Sequence, residues 1–593
     1  MIIHARNFIT PDSALGGIQI DNSLRFEGDD TTYLSASPTF NTKKYTFSFW
    51  MKPVKKGGGA ILSYNMVGNN RHSYSYDTYE GHFANQLRIG GSTQSQYAAT
   101  ASFRDFTSWY HVVFVWDSDN GTQADRFIVY VNGVRAEMTQ YTGTSSGVSG
   151  YIGGGNTIYI GRSTDGYSPA RFYLADYYLI DGQAYDATYF GYTDAQTGQW
   201  RPKIYTGSYG SGGFHLEFKD SSNLGKDTSG NANNWTANNF SVSAGAGKDL
   251  VTDTPTNNFP TLNPLDSEGN LPTQGNLQGG TAGTSGWRHT RSTVPLPSSG
   301  KWYWEYKIPT AATDGSNGWM TGIAYSNLGF TQDINSNSTG LYGRQTQGKY
   351  NNSSGSPVTD YHFTTVADND TLQFAYDADS QTLFTGKNNT WELSANPSTG
   401  ANPNWTSVAS GGFPMVGSYG SSRYVIINFG QQGFSYTPPT GYRALNSKNL
   451  ATPVPAGVVR PQRHFGIVTW SGNDSSQTID GLEFTPDFVW IKAIRSGENH
   501  FLTDIIRGAG IRLQSNTNNA ESDRSSEVTA FVRGGFTIAG THNEINGGGV
   551  NMVAWCWKAG GTAVTNTVGN ISAQVSVNDE AGFSIITYTG DGN

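Results

Sequence analysis

The chain has 593 residues, 74 of them glycine and 22 proline, with 13% aromatic and only 14% charged side chains. Average soluble chains carry roughly 25% charge, so helices with charged outer faces and coiled coils are excluded, and the aromatic content excludes intrinsic disorder. A net charge of −8 argues against a broad nucleic-acid footprint, which needs Lys and Arg gathered on one face.

What remains is an all-β protein: tandem antiparallel β-sandwich (jellyroll) modules joined by loop-rich linkers. At roughly 100–200 residues per domain the length allows three to five units. The single cysteine, Cys556, sits between Trp555 and Trp557 and reads as a buried apolar residue. No internal disulfide is available, so the cores alone must carry stability. MIIHARNFITPD contains no apolar signal core, and no run of about 18 apolar residues predicts a membrane span.

Residues 1–22 read as an arm or attachment segment. Strands then follow in quick succession: Tyr45 to Met51, His111 to Trp116, Arg126 to Val131, Asn156 to Ile160, and Phe172 to Ile180. Asp117-Ser-Asp-Asn-Gly121 is a turn cluster between the second and third of these, and Asn132-Gly133 favours positive φ for a tight hairpin. Strands this regular predict a sandwich over 23–265, its last part a looser extension. The Gly, Ser, Thr, Gln and Asn of 266–285 read as a linker.

A second β unit is expected over 286–450. Trp302 to Ile308 alternates cleanly, Asp370 to Asp377 and Gln381 to Phe384 flank a turn, and Tyr424 to Gly430 reads as a buried strand. Residues 451–463 are a proline-rich connector, followed by a β-rich module over 464–582. Phe465-Gly-Ile-Val-Thr-Trp-Ser-Gly-Asn473 recurs as Phe583-Ser-Ile-Ile-Thr-Tyr-Thr-Gly-Asp591. This is an internal repeat, so 583–593 read as the start of a second copy. The terminal strand either completes a neighbouring sheet or opens a unit of a longer native chain, and the second is the expectation.

The first unit carries Ser23-Leu-Arg-Phe26, Tyr45-Thr-Phe-Ser-Phe-Trp50, Trp109-Tyr-His-Val-Val113, Val129-Tyr-Val-Asn-Gly133 and Leu174 to Ile180. It resembles a laminin-G-like, concanavalin A-like jellyroll. The second carries Gly300-Lys-Trp-Tyr-Trp-Glu-Tyr306, Gly322-Ile-Ala324, the Asp370 to Phe384 hairpin, Val425-Ile-Ile-Asn-Phe-Gly430 and Phe434-Ser-Tyr-Thr-Pro-Pro-Thr-Gly441. It resembles a SPRY domain, a fold that binds through loops at one end. The combination resembles tail fibres and other virion proteins of tailed phages. That resemblance implies a virion location after synthesis in a host cytoplasm, and host-surface recognition of glycans or proteins. It also implies other virion proteins as partners and a homotrimer. A capsid decoration or connector protein is the alternative, and a polysaccharide depolymerase a third.

No enzyme is expected. Retaining glycosidases of the jellyroll kind need paired carboxylates about 5 Å apart. Neither Glu27-Gly-Asp29 nor Glu217-Phe-Lys-Asp220 is followed by the second Glu that the pattern requires. The histidines do not cluster, and His111, inside an apolar strand, reads as packed. No cofactor is required by any motif. The one metal expectation is calcium at Asp117, Asp119 and Asn120, whose closely spaced oxygens and glycine turn resemble a calcium loop without its downstream Glu.

Sugars present apolar C–H faces and hydroxyls, so a lectin site joins aromatic platforms to polar side chains. On that chemistry Tyr64, Asn70, Arg71, Tyr74, Tyr76, Tyr151, Asp165 and Tyr167 are candidates in the first unit. Trp319, Tyr342, Arg344, Tyr350 and Tyr419 are candidates in the second.

Overall fold

The structure is a computed structural model. It describes residues 18–591 apart from 29–30, 56–58, 65–68, 77–80, 163–170, 195–197, 268–271, 282–286, 311–317, 327–340, 345–348, 353–357, 361–362, 420–422, 451–460, 496 and 580. The described chain is all-β, built from antiparallel sheets with a few single 3₁₀ turns. Among the described residues no helix is long and apolar enough to cross a membrane. The described chain divides into two compact units, one within 20–450 and one within 461–591.

The first unit opens with a sandwich of two sheets, each of eight strands among the described residues. One sheet runs in the order Val134–Arg135, Phe127–Val131, Tyr110–Asp117, Lys44–Pro53, Arg171–Asp181, Ser23–Glu27 and Leu250–Val251, with Phe214–Leu216 also paired to Arg171–Asp181. The facing sheet includes Arg71–Tyr76, Phe83–Ile89 and Ser92–Ala99. Alternation sends Phe47, Phe49, Phe114, Trp116, Phe127 and Val129 into the shared core, where they meet Tyr74, Tyr76 and Phe83. The expected hairpin turn is present: Asn132 has φ 50° and Gly133 φ 82°. A Cβ on Gly133 would lie 2.3 Å from the Trp200 ring, so glycine is required there twice over.

The described residues of 183–209 fold back over the outer face of the first sheet. Ala187, Phe190 and Tyr205 pack on Val113, Val115, Tyr178 and Ile180. This second layer makes Tyr110–Asp117 buried on both sides, which is why Val112–Trp116 is apolar without interruption.

Two sheets also form the second sandwich, whose core gathers Trp302, Trp304, Trp319, Phe374, Trp405, Val425 and Ile427. Two of the sequence signatures meet at one carboxylate. Buried Glu305 accepts the Ser435 and Tyr436 backbone N–H groups at 2.7 and 2.9 Å and the Tyr303 hydroxyl at 2.8 Å. Gly322 is fixed by a close approach: at φ 148°, a Cβ would stand 2.1 Å from the Tyr342 carbonyl oxygen.

The stretch 266–285 differs from the linker expected of its composition. Its described part contributes to Leu262–Ser267, paired with Trp287–Ser292, and to Gln278–Thr281, paired with Arg423–Asn428. Leu262 and Leu277 are fully buried, and these two residues anchor a polar segment that composition alone describes as loop. Further ties run back to the first sandwich. Tyr173 Oη donates to the Gly275 carbonyl at 2.6 Å, and Asn276 Nδ2 donates to the Val54 carbonyl at 2.6 Å.

In the second unit a six-stranded sheet orders Phe465–Ser471, Asn551–Trp557, Phe488–Ala493, Phe501–Asp504, Gly508–Leu513 and Ser522–Asp523. Cys556 is fully buried on its inner face, and burial pushes the thiol up to about 12. The terminal Phe583–Tyr588 pairs with Ala573–Asn578 in a three-stranded sheet. The sequence repeat is not a repeat of burial: Val468 is buried and Ile467 exposed, whereas Ile585 is buried and Ile586 exposed.

Two histidines give the first sandwich an acid sensitivity. His111 accepts the Trp200 indole N–H at Nδ1 (3.0 Å) and faces Ser48 Oγ through Nε2 at 2.8 Å. His72 is enclosed by the Tyr74 and Trp116 rings. Burial lowers both from 6.5 to about 3. Unfolded, the rings bind protons near pH 6.5; folded, they resist until about pH 3. Stability is therefore full above 6.5 and falls as pH drops toward 3, by about 1.4 kcal/mol per group and pH unit. We expect the melting midpoint to fall steadily between pH 6.5 and 4, and less so in His72→Gln. A flat profile across that window would contradict the assignment.

Candidate functional site

Strand burial decides the fate of five sequence candidates. Arg71–Tyr76 is a strand, so Tyr74 and Tyr76 point with His72 into the core, both fully buried. Tyr74 Oη lies 2.7 Å from Tyr45 Oη, and Tyr76 Oη donates to the Phe103 carbonyl. Trp319 and Arg344 are also fully buried, and Tyr342 is 4% exposed with its hydroxyl on the Ser407 carbonyl at 3.0 Å. These five are core residues and present nothing to a ligand. Each combines an aromatic or polar side chain suited to sugar contact with a position in a strand that buries it.

The remaining candidates scatter. Asn70 accepts the Gly90 N–H at 2.7 Å, and Arg71 is half-buried at the start of its strand. Tyr151 is half-buried against the first core. Tyr419 is half-buried at a strand end, edge-on to Trp287 at 5.7 Å. Tyr64 and Tyr350 lie in Gly59–Tyr64 and Lys349–Asn352, their side chains outside the described residues. Asp165 and Tyr167 lie outside the described residues altogether.

The 117–121 cluster forms the expected turn, and each of its three candidate side chains has a protein partner. Asp117 Oδ2 pairs with Lys44 Nζ at 3.0 Å, Asp119 stands 3.6 Å from Lys43 Nζ, and Asn120 Oδ1 accepts the Thr122 N–H at 2.9 Å. Among the described residues no three of His, Cys, Asp and Glu gather as a metal-binding group. The carboxylates considered for glycosidase chemistry are also engaged: Glu27 with Arg25, Glu217 with Lys219 and Asp220 with Lys226, while Asp29 lies outside the described residues.

One surface of the first sandwich does assemble a polar-aromatic site. Beside the layer formed by 183–209, an open depression of about 470 Å³ is lined by Asp117, Asn120, Asp125, Ile128, Tyr130, Arg135, Tyr185, Asp186 and Tyr189, among others. Its aromatic wall is local in origin. Asp186 caps the 3₁₀ turn Ala187–Tyr189 by accepting the Thr188 N–H at 2.8 Å. The turn stacks Tyr185 on Tyr189 with ring centroids 4.0 Å apart and planes at 22°. Tyr189 remains 44% exposed. The opposite wall is charged: Arg135 pairs with Asp125 at 2.7 Å. Asp117 Oδ1 is buried with no hydrogen-bond donor among the described residues. Burial, with the carboxylate of Asp186, raises the Tyr130 phenol above its usual range and keeps it a neutral donor.

Sequence reasoning missed Tyr130, Tyr185 and Tyr189. The signal available was Tyr185-Asp-Ala-Thr-Tyr189, a capping residue with tyrosines four apart, which stack when the intervening residues form a helical turn. Nothing in the sequence showed that this turn would fold over the hairpin carrying Asp117 and Tyr130.

Residues 26–188 match the family model described as the Concanavalin A-like lectin/glucanases superfamily. The first sandwich is thus similar to that superfamily over the matched residues. Residues 460–593 match a family described as Domain of unknown function (DUF7483). No curated protein matches the chain. Among solved structures, mouse laminin alpha1 chain domains LG4-5 match at 10% identity, over 74% of this chain and 97% of that one, with a TM-score of 0.25. The SPRY domain of human HERC1 matches at 17% identity, over 28% and 96%, with a TM-score of 0.23. A SAP-like pentraxin from Limulus polyphemus matches at 21% identity, over 28% and 79%, with a TM-score of 0.22. The depression belongs to the matched span, since all of its lining residues except Tyr189 fall within 26–188.

Proposed function

We propose that this protein is a non-catalytic adhesin that binds host-surface glycans, carried on a tailed-phage virion as a tail fibre or tail-associated component. The observation that carries the binding reading is the Tyr185–Tyr189 stack, with Tyr189 exposed and Tyr185 half-buried, lining an open depression together with carboxylates. Sugar C–H faces pack on tyrosine rings, and carboxylates accept hydroxyl hydrogen bonds. The site is shallow, so single contacts are weak. Several copies on one particle would raise avidity through effective concentration, which suits a trimeric fibre. The virion placement rests on the resemblance of the module series to phage fibres. SPRY-like loops in the second sandwich suit protein partners on the same particle.

The test is a glycan array followed by calorimetry on the best hit, run with and without added calcium. The double variant Tyr185→Ala/Tyr189→Ala is expected to bind at least tenfold more weakly, about 1.4 kcal/mol, with no loss of the main unfolding transition. Undiminished binding by a folded double variant would remove this depression from the reading. Failure of the protein to adsorb to any susceptible cell would remove the adhesin role.

A further inference from the structure

The six-stranded sheet of the second unit buries one face only. Val489, Ile491, Ala554 and Cys556 fill its core. On the other face, cross-strand register sets Ile467 opposite Trp555, Trp555 opposite Trp490, Trp490 opposite Leu502, and Leu502 opposite Leu513. These five side chains form one row across five strands. Ile467 is 55% and Leu513 39% exposed, and Trp490, Trp555 and Leu502 are half-exposed. The two indoles stand 5.8 Å apart, and Trp490 Nε1 is held by His500 Nδ1 at 3.1 Å. One end of the face is covered where Phe583 stacks on Trp557; the row itself has no such cover among the described residues.

Dimensions and charge decide what fits. Five strands at about 4.8 Å spacing make a strip about 19 Å long and one side chain wide. A stable protein interface needs about 800 Å² per partner, several times this area. The strip suits one extended chain. The row has no charged side chain, and the adjacent Lys492 turns its ammonium onto the carbonyls of Ala493 and Arg495. Alongside it, exposed Thr469, Ser471 and Asn551 offer neutral hydrogen-bonding groups. A strongly anionic polymer finds no cation row here; a neutral sugar chain finds ring faces and hydroxyl partners together.

We propose that this row is a second glycan-binding site, for a neutral polysaccharide laid across the strands, independent of the depression in the concanavalin A-like sandwich. The experiment is affinity electrophoresis of the full chain through gels containing laminarin, hydroxyethylcellulose or galactomannan, with tryptophan fluorescence in parallel. The wild-type chain is expected to be retarded by at least one of them, with an emission shift. Trp490→Ala/Trp555→Ala should weaken that retardation at least tenfold, while Tyr185→Ala/Tyr189→Ala leaves it intact. No retardation of the wild type in any of the three, or equal retardation of the tryptophan variant, overturns the proposal. Loss in the tyrosine variant alone also overturns it and returns all glycan contact to the first sandwich. A wild-type dimer that the tryptophan substitutions dissociate would assign the row to a second copy of the chain and overturn it as well.

Discussion

Replacing Lys52 with methionine is expected to destabilise the first sandwich by about 3–5 kcal/mol, the usual cost of stranding one member of a buried ion pair. Lys52 is 1% and Asp253 0% exposed. The ammonium uses all three donors: Asp253 Oδ2 and Asn258 Oδ1 at 2.8 Å each, and the Phe259 carbonyl at 3.1 Å. Asp253 Oδ1 also takes the Trp109 indole N–H at 3.2 Å. The pair thereby pins Lys44–Pro53 of the sandwich to residues 253–259, which lead into the next sheets. With Lys52 gone, Asp253 keeps a buried charge or takes up a proton; either is costly. The double variant Lys52→Met/Asp253→Asn should recover most of the loss, because no lone charge remains. Denaturant unfolding followed by fluorescence measures both. A single-variant loss below about 1 kcal/mol would mean that water reaches the site.

The second large effect is expected at Arg344, a residue whose sequence context suggests ligand contact. Its guanidinium is fully buried, donating to Glu392 Oε1 at 2.8 Å and the Thr364 carbonyl at 3.0 Å, and lies over the Phe363 ring at 4.9 Å. Burial lowers its affinity for the proton and Glu392 restores part of it. Glu392 takes the Thr364 N–H as well, so one ion pair closes a loop onto a strand. Arg344→Leu should cost about 3–5 kcal/mol and broaden or lower the unfolding transition of the second sandwich. Lysine cannot reproduce a planar fork, so Arg344→Lys should rescue only part. A variant with unchanged melting and impaired ligand binding would restore the ligand role.

These two residues show where reading the chain stopped short. Strand positions were legible: Asp370–Asp377 agrees with the sequence reading to the residue, and Lys44–Pro53 and Arg171–Asp181 extend theirs by a residue or two. The period of two and the turn residues carry that information locally. Sidedness was legible too at Arg71–Tyr76, where Ser73 and Ser75 separate buried His72, Tyr74 and Tyr76. Lys52, Asp253 and Arg344 are charged, and no local pattern announces that partners about 50 to 200 residues away will enclose them.

The sequence by itself determined that the chain is all-β, where most of its strands run, that Asn132-Gly133 turns, and that Cys556 and His111 pack inside, because these follow from local alternation and backbone preference. Only the tertiary structure decided which aromatics face solvent. Tyr185 and Tyr189 meet the Asp117 hairpin because a later segment folds back over the first sheet. Trp490 and Trp555 stay half-exposed because their sheet buries one face. Burial depends on what a strand is laid against, and that partner lies far along the chain.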